Sequence, residues 1–389
     1  MKSINLKFYL LLFFLFFLNS NYLQAKEQPR ISLLTCDSGD ELYSTFGHSA
    51  LRVNYPELDK DIVFNFGLFD FSTPHFYLKF IRGKLKYMLG IQYMDDFMEQ
   101  FKWEGRSVKE QNLNLTEDQS KELLERLAFL YLPQNRYYYY SFLYKNCTSE
   151  LRDIIFPLVE QSQELYEAES AGFTYRELLN NYIKGWTKFG INLILGSSLD
   201  KPANKYESMF LPENLYNGIA ILKNGDLSIV SEDVYLYRAV EKEKRFSFAE
   251  IILSPLVVFL LLFAIMVFLV ARSYTTRAKR RYNFYSNLYL GLLSILGLIL
   301  TIIILITEHT ELYSNYNLLW CNPLFLLVVL ASLKRWKKAE RLFSAISLIF
   351  LSLLQFVWAC NIQYAEPGFI PIIITLALLF ITRIIFSKA

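Results

Sequence analysis

Histidine is nearly absent: the 389-residue chain has three, at positions 48, 75 and 309. Any imidazole chemistry therefore rests on His48, His75 or His309. Excess charge is missing too. The net charge is only +3, and Lys and Arg gather in loops between apolar runs, so nothing argues for nucleic-acid binding. Regular alternation of strand and helix is also lacking in the N-terminal part, which points away from a parallel α/β sheet. Nothing in the sequence calls for a cofactor or a metal.

Apolar and aromatic residues are abundant, at 53% and 17%, and the mean hydropathy of +0.23 is too high for a typical soluble enzyme. The excess is uneven. Residues 26–248 read as a charged, Tyr-rich globular segment, and residues 249–389 as apolar runs alternating with basic loops. The start reads as a signal segment, 1–25. Lys2 and Lys7 precede the apolar Phe8 to Leu18, and Leu23-Gln24-Ala25 is a tolerable cleavage site. That core is short for a membrane span, and an uncleaved anchor is the alternative.

Five runs in the C-terminal part are candidates to cross the bilayer, near 251–271, 286–306, 318–333, 342–360 and 369–387. The third is short and contains Asn322-Pro323. The loop from Arg272 to Asn283 carries five basic residues and no acid, and the loop from Lys334 to Arg341 carries five against Glu340. The segments between, Thr307 to Asn317 and Asn361 to Gly368, carry Glu308, Glu311 and Glu366 and no Lys or Arg. The positive-inside rule puts both basic loops in the cytoplasm. With five spans, residues 26–248 then lie outside the cytoplasm, in agreement with the signal segment. The expected location is the inner membrane, multi-pass, with the N-terminal domain in the periplasm.

Within that domain, Ile31 to Leu34, Ser49 to Val53 and Ile62 to Gly67 read as strands. The turn residues Tyr55 to Asp59 join the last two into a hairpin. Thr116 with Gln119 forms a capping box for a helix that Pro133 closes. Asn146-Cys147 opens a second helix, Thr148 to Val159, with Leu151, Ile154, Ile155 and Leu158 at helical spacing. The expected class is α+β, followed by an all-α transmembrane domain.

Two side chains here can carry chemistry together. Cys147 sits in the first turn of a helix capped by Asn146, where the helix N-terminus stabilises a thiolate. His48 sits just before the hairpin's first strand and can take the thiol proton. Asn65, on the antiparallel partner strand, can be reached across the hairpin to orient the imidazole. On spacing alone, a lone Cys at a helix start is more often packed or disulfide-bonded. Cys36 can pair with Cys147 and disarm it, and Cys321 can pair with Cys360; connectivity cannot be read from sequence. The Tyr137 to Tyr140 run can line a site, but such runs more often serve cores and sheet faces.

Longer patterns change those odds. Thr35-Cys36, Phe46-Gly47-His48-Ser49-Ala50-Leu51-Arg52-Val53, Asp61-Ile62-Val63-Phe64-Asn65-Phe66-Gly67-Leu68-Phe69 and Gly83-Lys84-Leu85-Lys86-Tyr87 come first. Gly105-Arg106-Ser107-Val108, Asn146-Cys147-Thr148 with Arg152-Asp153, and Phe210-Leu211-Pro212 follow. Together they resemble the periplasmic domain of the Lnb-type lipoprotein N-acyltransferases of Bacteroidota. In the C-terminal part, Glu308-His309 and Asn315 to Leu324 fit the same family. The order of His in a hairpin followed by Asn-Cys at a helix start is also similar to the circularly permuted papain-like arrangement of lecithin:retinol acyltransferase relatives.

The resemblance implies Cys147 as nucleophile, His48 as base and Asn65 in the third position. Some relatives carry a second His there, but here none follows His48 until His75, outside the hairpin. It implies acyl transfer from a membrane phospholipid, through an acyl-cysteine, to the N-terminal amine of a diacylglyceryl lipoprotein. The oxyanion would be met by backbone N–H groups at the start of the Cys147 helix. Glu308, His309, Asn315, Asn317 and Asn322 read either as a solvated loop or as a head-group or lipoprotein surface beneath the catalytic domain. Two other readings stay open: an exported cysteine peptidase or amidase, and a non-enzymatic envelope assembly or lipid-binding factor.

Overall fold

The computed structural model describes residues 28–159, 162–240, 248–273 and 276–386; the proposed signal segment lies outside them. The N-terminal domain is built on an antiparallel sheet. Its strands are β1 (Arg30–Cys36), β2 (His48–Tyr55), β3 (Lys60–Leu68), β4 (Lys86–Tyr93), β5 (Val108–Leu113), β6 (Tyr137–Tyr139) and β7 (Val230–Tyr237). The seven strands lie in the order β7-β5-β1-β2-β3-β4-β6. The expected hairpin is β2–β3, closed by a short turn at Pro56–Leu58.

Alternation divides the apolar side chains between two cores. Ile31, Leu33, Leu51, Val53, Phe64 and Phe66 face one side; Leu34, Cys36, Ala50 and Val63 face the other. The short helix α1 (Phe76–Ile81) lies in the β3–β4 connection. Helix α2 (Met94–Glu104) covers the second face with Met94, Phe97 and Phe101. Helices α3 (Glu117–Tyr131) and α4 (Cys147–Ile155) cover the first, through Leu123 and Leu127, and Leu151, Ile154 and Ile155. Thr116 and Gln119 form the capping box expected of them. Helix α4 ends sooner than its apolar pattern suggests, because Pro157 converts the next turn to a 3-10 helix, Phe156–Leu158.

Helix α5 (Gly185–Ile194) belongs to the N-terminal domain by sequence but packs into the C-terminal bundle. Phe189 and Leu193 join a core with Trp320, Phe369 and Ile372. The bundle comprises α6 (Pro255–Arg272), α7 (Thr276–Ile306), α8 (Phe325–Leu333), α9 (Lys337–Ala359) and α10 (Ile370–Phe386). Among the described residues, four helices are long and apolar enough to cross a membrane.

The structure departs from the expected C-terminal part at two places. The basic loop from Arg272 to Asn283 is largely helical, since α7 begins at Thr276 and carries Arg277, Lys279, Arg280 and Arg281 on its first turns. The third span, 318–333, is not a continuous helix. A 3-10 turn, Tyr316–Leu319, leads to Asn322-Pro323 before α8 starts. Proline supplies no N–H, and Asn322 Oδ1 accepts from Leu324 N at 2.9 Å. Nine residues of α8 rise only about 14 Å, roughly half the hydrocarbon thickness.

This broken segment runs down α7. The Cys321 carbonyl lies against Gly297, where any Cβ would collide with it. Ser294 donates to the Asn322 carbonyl at 3.4 Å, and Asn287 to Ser332 Oγ at 3.4 Å. Irregular backbone at such depth is tolerated where protein covers it, and Trp320 and Cys321 are fully buried.

Candidate active site

The β2–β3 ladder stops at Leu51 opposite Phe64, although β2 begins at His48 and β3 continues to Leu68. The strands part there, and the start of α4 fills the opening. A methyl placed on Gly67 would lie 3.6 Å from Cys147 Cβ. Cys147 comes from the α4 face and His48 from the α2 face, so the pair meets through the sheet.

The chain approaches β2 through a tight bend. Gly47 has φ +84°, and a Cβ there would come within 2.8 Å of the Cys36 carbonyl, so the backbone passes where only glycine fits. His48 then stacks on Phe101 of α2, with centroids 6.2 Å apart at 15°. Its Nε2 is 2.8 Å from Asn65 Oδ1, and Asn65 Nδ2 donates to Gln92 Oε1 at 3.3 Å. Because the Asn65 amide nitrogen is engaged by Gln92, its oxygen faces His48. Nε2 is therefore the donor, and Nδ1 is left for the hydrogen bond with Cys147. Gln92, on β4, is a part of the site that the sequence did not reveal.

Cys147 is the first residue of α4. Burial opposes its ionisation, but the His48 charge and hydrogen bond, the Ser49 backbone N–H and the Thr148 hydroxyl outweigh that and bring its pKa down to about 7. Burial likewise disfavours a charged His48, yet the Cys147 thiolate and the hydrogen bonds to Cys147 and Asn65 leave its pKa raised. The two shifts have one cause, a thiolate–imidazolium pair. Both residues keep some solvent exposure. Cys36 is buried and free, held well above the ordinary thiol range by burial. Cys147, Cys321 and Cys360 are free as well, so neither of the disulfides considered above is present.

The helix cap uses donors that were expected to serve an oxyanion. Asn146 Oδ1 accepts from Thr148 N and Ser149 N, each at 2.8 Å. The Asn146 side chain does not engage the Cys147 N–H. Tyr138 and Tyr140 lie within electrostatic reach of Cys147. Burial, joined by nearby negative charge, pushes both hydroxyls well up, so they remain donors at neutral pH. The Tyr run itself pairs with β4 as strand β6, with Tyr138 packed against the core that Cys147 adjoins.

The remaining polar residues lie elsewhere. His75 is the left-handed residue before α1. His309 Nε2 meets the Phe80 carbonyl at 2.9 Å, and Glu308 pairs with Lys84 at 2.8 Å. Asn315 donates to the Leu193 and Ile194 carbonyls, and fully buried Asn317 to those of Asn192 and Leu193. Asn315 and Asn317 therefore fasten α5 to the bundle instead of presenting an open surface, and Asn322 Oδ1 accepts from Leu324 N in the turn before α8. Glu311 accepts from Ser141 at 3.1 Å, so the same segment braces the loop that leads to Cys147.

A thiol beside an imidazole that an amide orients is the layout of a cysteine nucleophile with its base. Residues 23–181 match the Lnb N-terminal periplasmic domain, and residues 246–389 match the Lnb transmembrane domain. The chain carries both domains and belongs to the Lnb-type family: it is a membrane protein with a periplasmic N-terminal domain. No curated protein and no solved structure matches it.

Proposed function

We propose that the protein is an inner-membrane acyltransferase. It would move an acyl chain from a phospholipid, through an acyl-Cys147 thioester, to the N-terminal amine of a diacylglyceryl lipoprotein. The observation that carries this reading is the Cys147–His48–Asn65 arrangement in a domain clamped onto a membrane bundle. The order His48, Asn65, Cys147 along the chain, with the thiol at a helix start and the His on a strand, supports a permuted papain-like site.

In the first half-reaction the thiolate attacks the ester carbonyl carbon. A C–S bond forms, the ester C–O bond breaks, and the lysophospholipid oxygen takes the proton held by His48. In the second, the lipoprotein amine attacks the thioester. The C–N bond forms, the C–S bond breaks, and His48 accepts the amine proton, which restores the pair. The Cys147 N–H, which the Asn146 cap does not use, is the donor assigned to the oxyanion. Both substrates are lipids, so fixing the thiol at membrane height raises its effective concentration.

The test is mass spectrometry of lipoprotein N-termini from cells with and without this protein. N-acylated termini should depend on its presence; termini unchanged by its loss contradict the reading.

A further inference from the structure

Helix α1 reads Phe-Tyr-Leu-Lys-Phe-Ile and buries none of its residues. Tyr77, Leu78 and Phe80 are 74%, 49% and 44% exposed, and Phe71 just before it is 61% exposed. A soluble surface rarely leaves so contiguous an aromatic and aliphatic group open.

Its place in the fold explains the exposure. The Ile81 carbonyl accepts from Thr307 Oγ1 at 2.7 Å, and the Arg82 carbonyl from Glu308 N at 3.1 Å. Those partners follow directly on the end of α7, whose last residues Leu305 and Ile306 are themselves exposed and apolar. The open face of α1 thus continues the lipid-facing surface of a membrane span.

From α1 a chain of rings leads inward. Phe76 and Phe71 each contact Phe69, at 5.8 and 4.9 Å. Phe69 contacts Tyr87 at 5.1 Å, and Tyr87 stacks on Tyr140 at 4.3 Å. Gly67, two residues before Phe69, puts its Cβ position 3.6 Å from Cys147 Cβ, so the wall starts beside the nucleophile. One end of this aromatic wall therefore lies at bilayer height and the other at the nucleophile. Lys79 and Arg82 flank the outer end, with charge suited to a lipid phosphate.

We propose that α1 and the wall Phe71–Phe69–Tyr87–Tyr140 form the port by which a phospholipid acyl chain leaves the adjoining leaflet and reaches Cys147. This rests on the reading of Cys147 as the acyl-accepting thiol. Rings supply a smooth apolar surface with little conformational freedom to lose on binding. The port selects for a long chain in a bilayer rather than an ester in water.

The full chain, reconstituted in phospholipid vesicles containing a phosphatidylcholine with a diazirine at its acyl terminus, should be photolabelled within residues 69–87. The label should persist in Cys147→Ala, which cannot form a thioester. Label confined to α6–α10 overturns the port, while label in the port without any acyl-Cys147 in the wild type overturns the assigned chemistry instead. In a second arm, Leu78→Asp should lower the ratio of acylation from vesicles to acylation from a water-soluble short-chain thioester at least tenfold. An unchanged ratio overturns the port.

Discussion

At the scale of the residue, the site turns on which atoms of His48 face which partners. Gln92 holds the Asn65 amide so that its oxygen meets Nε2, and the other ring nitrogen is turned to the thiol. Cys147 should therefore ionise near pH 7. Iodoacetamide alkylation of Cys147, followed in a Cys360→Ser background because Cys360 is the exposed thiol, should reach half its limiting rate near that pH. The thiolate is the lower-pH loser: protonation below about 7 removes it, and reactivity falls. His48→Ala should move the midpoint upward toward the ordinary thiol range, and Gln92→Leu should move it in the same direction by less. A midpoint that ignores His48 contradicts the pair. The sequence revealed His48, Asn65 and Cys147 because each sits at a local signal: a strand start, a hairpin partner, a helix cap. Gln92 and the Phe101 stack arise from β4 and α2 packing on that hairpin, contacts between segments that no local pattern records.

At the scale of the element, α4 is held at its start. Asn146 caps it with one oxygen and, through Nδ2, donates to the Phe142 and Phe210 carbonyls at 2.8 and 2.9 Å. Losing a cap costs about 1 kcal/mol, and each orphaned buried carbonyl adds roughly another 1 kcal/mol. Asn146→Ala should thus destabilise the protein by about 2–3 kcal/mol, read from chemical denaturation in detergent, and should slow Cys147 alkylation by displacing the helix start. A change under about 0.5 kcal/mol contradicts this account of the cap. The cap was legible in Asn146-Cys147-Thr148, but the Ser149 hydroxyl bonding back to Asn146 N at 2.8 Å was not, since the usual partner at that position is Glu or Gln. The broken third span was legible in its short length and in its Asn322-Pro323. Its cover by α5 lies more than a hundred residues away in sequence.

At the scale of the whole molecule, the bundle has two unlike ends. At one, Arg383 joins α10 to Glu340 of α9 at 2.7 Å and to Asn287 of α7 at 2.6 Å, beside the basic stretches. At the other, residues 307–317 and Glu366 hold the N-terminal domain, Glu366 accepting from Asn192 at 2.8 Å. In spheroplasts, an impermeant maleimide should label Trp103→Cys and spare Arg335→Cys, both made in a Cys147→Ser, Cys360→Ser background. The reverse pattern contradicts the orientation. The charge asymmetry that predicts this was plain in the sequence, because the positive-inside rule depends on composition rather than on packing. The inter-domain clamp was not, because Asn315 and Asn317 read equally well as solvated loop until α5 is seen against them.

The central claim is that Cys147 carries the acyl group. The full chain, incubated with phospholipid vesicles and no lipoprotein acceptor, should accumulate one acyl chain on the Cys147 peptide by mass spectrometry. Hydroxylamine should remove it, as expected of a thioester, and Cys147→Ser should not form it. His48→Ala should lose nearly as much as Cys147→Ser, because the two act as a unit. An acyl group found on any other residue, or full activity retained by Cys147→Ser, contradicts the account.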